Sequence, residues 1–90
     1  MNYRLEIRPE ALADIEADAE WYETQEVGLA GDFAQTVIEA IDRLQTNPLI
    51  YRLRDRRRNV RWLLTNRFPY KVVYQMQDDL VTVFAVGSCR

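Results

Sequence analysis

Apolar and charged residues alternate over residues 3–7, with Tyr3, Leu5 and Ile7 on one face and Arg4 and Glu6 on the other. That period of two predicts a short strand with one buried face. Pro9 suits the first position of a helix, where its missing N–H costs nothing, although Arg8 before it is a poor cap. From Pro9 to about Gln25 the period lengthens. Leu12, Ile15, Ala19 and Tyr22 form a helical stripe, and Glu16, Glu20 and Glu23 fall opposite. Gly28 breaks the pattern. A second helix is predicted from the stripe Phe33, Val37, Ala40, Ile41 and Leu44, and it ends at Pro48, which forces its predecessor toward extended geometry. Two helices joined by so few residues should form an antiparallel hairpin.

Residues 49–59 show no clean period and read as a loop leading into a strand. Three strands follow. In residues 60–64, Val60, Trp62 and Leu64 share an apolar face from which Arg61 points away. In residues 70–76, Tyr70, Val72, Tyr74 and Met76 oppose Lys71, Val73 and Gln75. Residues 80–86 are nearly all apolar, which predicts a central strand covered on both faces. Residues 77–79 read as a tight hairpin connection, and Pro69 belongs at the beginning of its strand because it cannot donate to a ladder. The expected fold is α+β in the order β-α-α-β-β-β: one domain over residues 1–90, with the helical hairpin on one face of a small, mainly antiparallel sheet.

Ninety residues suffice for one modest core. With no histidine and a single cysteine, Cys89, zinc sites and histidine-assisted nucleophiles are disfavoured. Gly28, Gly31 and Gly87 match no phosphate-binding spacing. No metal, cofactor or small-molecule substrate is therefore expected, and any chemistry rests on Arg, Lys, Tyr or carboxylates. No apolar run nears the roughly 20 residues of a membrane span, and the first residues hold no apolar signal region. A cytoplasmic protein without membrane association is the expectation.

Charge is divided unevenly. Residues 1–47 carry eleven acids and three bases, whereas residues 48–90 carry nine bases and three acids, so a net charge of −2 conceals halves of −8 and +6. Six arginines fall between Arg52 and Arg61 alone. Such runs are often plain solvated faces, where exposed pairs contribute about 0–1 kcal/mol. Arginine without lysine, however, suits bidentate recognition of carboxylate or phosphate. The cluster therefore points to an anionic macromolecule, either an acidic protein segment or nucleic acid.

Several stretches together resemble one family. "RPEALADIEADAEWYETQEVGLAGDF" carries an aromatic pair, Trp21 and Tyr22, a Gly-Leu turn and a following Phe33. Asn47-Pro48 closes the second helix. "VRWLLTNRFPYKVVYQM" places Arg61 in the second strand, then Arg67-Phe68-Pro69-Tyr70, then Tyr74; "LVTVFAVGSCR" is a closing strand. In this order they resemble the RelE/ParE superfamily of toxins from bacterial type II toxin–antitoxin systems, the plasmid stabilisation proteins. The resemblance implies a growth-inhibiting toxin neutralised by a cognate antitoxin, of ribbon–helix–helix or similar DNA-binding type, whose C-terminal segment wraps it. It implies as target either DNA gyrase, as for ParE, or the ribosome and its mRNA, as for RelE; a third reading is a non-toxic member acting only in the antitoxin complex.

Nuclease relatives often carry a histidine or tyrosine near the end of the last strand, where Ser88 stands here. With the acidic overall charge and the single lysine, this tilts the reading toward ParE-type gyrase inhibition and away from an enzyme. Arg54, Arg56, Arg57 and Arg58 are assigned to the antitoxin. Arg61, Arg67 and Arg90 are assigned to the target, because the family's sheet concavity is lined by basic residues; the plain alternative is that Arg61 and Arg67 only blunt aggregation. Were the protein an mRNA endonuclease, Arg61, Arg67, Lys71 and Arg90 would form the catalytic set, with cations stabilising charge on phosphate. Tyr70 and Tyr74 are read as core residues, Trp21 and Tyr22 as packing, and Asp78 and Asp79 as turn formers.

Overall fold

The computed structural model describes residues 3–88. Strand β1 (Arg4–Ile7) turns Leu5 and Ile7 onto the core and leaves Arg4 and Glu6 exposed, as the alternation requires. Helix α1 (Pro9–Gln25) begins at the proline with no side-chain cap from Arg8. Its inner face runs through Ala11, Ile15, Ala19 and Tyr22. Leu12, expected in that stripe, is exposed; the first turn meets the core through Ala11, a side chain small enough for the helix to lie close to its neighbours.

Gly28 turns the chain between the helices with a φ of 96°, a left-handed conformation that glycine adopts without a Cβ clash. Helix α2 (Leu29–Thr46) then buries Phe33, Val37, Ala40, Ile41 and Leu44, the stripe read from the sequence. The start of α2 has no cap of its own. Instead, Glu23 of α1 accepts hydrogen bonds from the backbone N–H groups of Gly28 (3.1 Å) and Ala30 (3.0 Å). One carboxylate thus satisfies donors that a helix terminus leaves open and meets the positive end of the α2 dipole.

The stretch expected to be a loop is more ordered. Pro48–Ile50 forms a 3₁₀ turn, and β2 (Leu53–Asp55) is a short strand paired with β3 (Val60–Leu64). The arginines masked this strand, since only Leu53 supplies an apolar position in it; the pairing with β3 is what defines it. Strands β4 (Tyr70–Gln77) and β5 (Leu80–Ser88) complete a five-stranded sheet in the order β1-β5-β4-β3-β2. Only β1 and β5 are parallel. The β4–β5 turn is tight, with Asp78 at a φ of 55°. At its far side Asp79 accepts two hydrogen bonds from the Arg4 guanidinium, at 3.0 and 2.8 Å.

Both helices cover the same face of the sheet. Tyr70, Val72, Tyr74 and Met76 of β4 and Val81 and Val83 of β5 are buried beneath them. Phe33 anchors an aromatic cluster with Tyr22, Tyr70 and Phe68 at centroid distances of 4.8, 4.9 and 5.6 Å.

Two expectations about the faces are corrected. Strand β5 is interior, but β4 is the middle strand, and the face of the sheet away from the helices is open. Phe84, 38% exposed, stands there. Alternation from the buried Val83 turns it outward, and a bulge lies at the same place: Val73 pairs with Ala85 and Tyr74 with Val83, so Phe84 is an extra residue in β5. The extra residue shifts the alternation, and Val86 again packs on the core. In β3, the face shared by Val60, Trp62 and Leu64 is not the core face. Leu63 is buried opposite Val72, and Arg61 pairs with Tyr74 on that same helix-covered side. Apolar content alone misled here, because both faces of β3 carry large apolar residues. No helix among the described residues is long and apolar enough to cross a membrane.

Candidate functional site: the open face of the sheet

Trp62 stands on the open face, one strand in from the β2 edge. Its strand, β3, lies between β2 and β4, and each neighbour contributes a cation to the indole. The Arg54 guanidinium lies 4.3 Å from the ring centroid and the Lys71 ammonium 4.6 Å. Arg54 reaches the ring from β2 and Lys71 from β4, so the ring is flanked from both sides. Such contacts contribute about 0.5–1 kcal/mol at exposed positions. Here they also hold two flexible cationic side chains in place.

The β2–β3 turn carries three further arginines. Asp55 accepts hydrogen bonds from the backbone N–H groups of Arg57 (3.1 Å) and Arg58 (3.2 Å), and Asn59 takes a φ of 57°. Gln75 donates to the Arg58 carbonyl (2.8 Å), pinning the turn to β4. Arg56, Arg57 and Arg58 are exposed, and they make no ion pair among the described residues; the same holds for Arg52, Arg54 and Lys71. Beside the turn, Arg58, Val60, Gln75 and Phe84 line a cavity of about 300 Å³.

The other candidate residues lie elsewhere. Arg61 points to the helix side, where it donates to the Tyr51 carbonyl (3.0 Å) and to Asn59 Oδ1 (2.9 Å). Arg67, in the β3–β4 loop, pairs with Asp32 of α2 at 2.9 Å. That pair borders a polar cavity of about 350 Å³ which Glu39 and Arg43 also line. Arg90 lies outside the described residues. The structure therefore brings Arg54 and Lys71 together on Trp62, puts Arg58 on the same face beside Val60, leaves Arg56 and Arg57 exposed on the β2–β3 turn, and sets Arg61 and Arg67 apart in internal contacts.

The tyrosines are core groups. The Tyr70 hydroxyl donates to Asp18 Oδ2 (2.7 Å), and the Tyr74 hydroxyl donates to the Pro48 carbonyl. Burial raises both pKa values well above the usual tyrosine range. Asp18 pushes Tyr70 further, while the nearby Arg61 works against the rise at Tyr74. Sequence reasoning missed Trp62 as a site residue. The available signal was Arg54 and Lys71 on strands flanking a tryptophan, but it required the strand order.

A two-helix layer on one face of a five-stranded mixed sheet is a fold shared with solved bacterial toxins. A chain of the "Chromosomal ParDE TA system from P. aeruginosa" superposes with a TM-score of 0.84 at 19% identity, covering 98% of this chain and 97% of that one. A mutant of the E. coli toxin RelE in the free state gives 0.65 at 18% identity, covering 100% and 86%. The intact E. coli RelBE toxin–antitoxin complex gives 0.55 at 18% identity, covering 98% of both chains. No curated protein sequence matches significantly. The family model described as "ParE toxin of type II toxin-antitoxin system, parDE" matches residues 5–90. The chain belongs to this family and is the toxin component of a type II toxin–antitoxin system.

Proposed function

We propose that this toxin acts in the cytoplasm by binding and inhibiting DNA gyrase, without cutting RNA, and that a cognate antitoxin silences it. The observation that carries this reading is the state of its tyrosines. Tyr70 and Tyr74 are bonded inside the core with raised pKa values, so neither hydroxyl is offered to a phosphodiester. The open face instead presents cations held by an aromatic ring, which suits contact rather than proton transfer. Arg54, Arg56, Arg57 and Arg58 serve the antitoxin in this proposal. Arg67 serves the target after release from Asp32, since an exposed pair resists by only about 0–1 kcal/mol. Arg61 supports the site from behind, and Arg90 is proposed for the target on the resemblance alone.

Purified toxin added to a gyrase supercoiling reaction, and in parallel to a ribosome translation reaction, tests this. Blocked supercoiling with intact messages is the expected result. Cleaved messages on ribosomes with unimpaired supercoiling would reverse the choice in favour of a RelE-type endonuclease.

A further inference from the structure

We propose that the Arg54–Trp62–Lys71 stack is a two-cation clamp for an extended acidic peptide whose apolar side chain enters the neighbouring cavity. The proposal rests on the reading that an antitoxin segment covers the basic side of the toxin, and it names where and how.

Two like charges held against one ring repel each other, and no carboxylate among the described residues pairs with either. An incoming pair of carboxylates relieves that repulsion. In an extended chain, alternate side chains point the same way and stand about 6.5–7 Å apart. Acids at positions i and i+2 thus straddle the edge of the indole and meet one cation each.

Val60 lies two residues before Trp62 on the same face of β3, and it walls the cavity with Phe84, Arg58 and Gln75. A peptide running along β3 brings its next alternate side chain over that cavity. Its apolar walls, Val60 and Phe84, with Arg58 and Gln75 beside them, suit an apolar side chain such as leucine next to polar atoms.

Single-stranded nucleic acid fits less well. Sequence-tolerant binding of single strands relies on bases stacking on exposed aromatic faces. Here both flanks of Trp62 carry a cation, and the ring is closed to a base unless a cation–π contact is given up. The surface favours carboxylates and one apolar anchor over phosphates and stacked bases.

The test uses the whole toxin and a blocked decapeptide with glutamates at two alternate positions and leucine at the next alternate position, made in both chain directions. Titration by calorimetry is compared with the Glu→Gln and Leu→Ala peptides and with a twelve-residue oligothymidylate. Binding of one glutamate–leucine peptide is expected, weakened at least tenfold by R54Q or K71Q and by Glu→Gln, and several-fold by Leu→Ala. Thermal melts of R54Q and K71Q, expected to stay cooperative and to fall by no more than about 2–8 °C for the lost cation–π contact, show that the fold is kept. Three results would overturn the proposal: no peptide binding, peptide affinity indifferent to Arg54 and Lys71, or tighter oligothymidylate binding lost in the same variants. Self-association through the acidic helices that R54Q and K71Q abolish, with no peptide able to displace it, would assign the face to a second copy and equally overturn it. Supercoiling inhibition by the wild-type toxin is measured separately, so failure of the clamp leaves the gyrase reading standing, and the converse.

Discussion

The Tyr70 hydroxyl donates a 2.7 Å hydrogen bond to Asp18, joining the first residue of β4 to the middle of α1 across 52 residues of sequence. Tyr70 is fully buried, and Asp18 is half-buried on the inner side of a helix whose other acids face solvent. Removing the donor leaves a partly desolvated carboxylate without this partner. Tyr70→Phe should destabilise the protein by about 1–2 kcal/mol, which corresponds to a fall in Tm of roughly 5–15 °C for a domain of this size. Calorimetry of the two proteins checks this; unchanged melting would mean that Asp18 is equally well served by water.

The Glu23 cap carries a pH signature. Backbone N–H groups of Ala30 and Gly28 hold its carboxyl below the ordinary value of 4.5. The folded state therefore binds the proton less readily than the unfolded chain does. The stabilisation is present above about pH 4.5 and is lost as pH falls through the lowered folded value. Asp79, lowered by Arg4, titrates in the same acid region, so the Glu23 share is the difference between wild type and Glu23→Gln. That variant should melt a few degrees lower at pH 7, and the gap should close in acid. A gap constant down to pH 3 would contradict the capping role.

Arginines that share a sequence cluster should separate by stability. Arg61→Ala deprives the Tyr51 carbonyl and Asn59 of a charged donor, at a cost of about 1.5–3 kcal/mol. Arg56→Ala and Arg57→Ala lie on an exposed turn and should stay within about 0.5 kcal/mol of wild type. Urea midpoints for the three variants measure the contrast.

The Arg67–Asp32 pair is exposed on both sides, at 62% and 49% of side-chain surface. A double-mutant cycle with Arg67→Ala and Asp32→Ala should give a coupling below about 1 kcal/mol, smaller still in high salt. A large coupling would make the pair a structural clasp and argue against Arg67 being released to a target.

Phe33 meets three other rings and is fully buried. Phe33→Ala should cost about 3–5 kcal/mol, enough to leave much of a marginally stable small domain unfolded at 37 °C. Circular dichroism reads this directly.

Much of the fold was legible in the sequence because each signal was local. The alternation of β1 and β4, the stripe of α2 and the turn at Asp78 depend on nearest neighbours and reappear in place. What was not legible depended on partners far along the chain. Strand β2 exists through its pairing with β3. The pattern assigns the apolar face of β3 to Val60, Trp62 and Leu64, yet both faces are apolar, and the packing of Leu63 beside Val72 decides for the other. The site suffered in the same way. Arg61 and Lys71 looked alike as strand cations, yet one is bonded to a carbonyl on the helix side and the other rests on an indole.

A sheet packed on one side only has an evolutionary corollary. Substitutions among Arg54, Trp62, Leu64, Lys71 and Phe84 meet few folding constraints, so this side can diversify quickly while the scaffold persists. With the antitoxin on this face, as proposed above, that freedom would let a toxin acquire a private match with its own inhibitor.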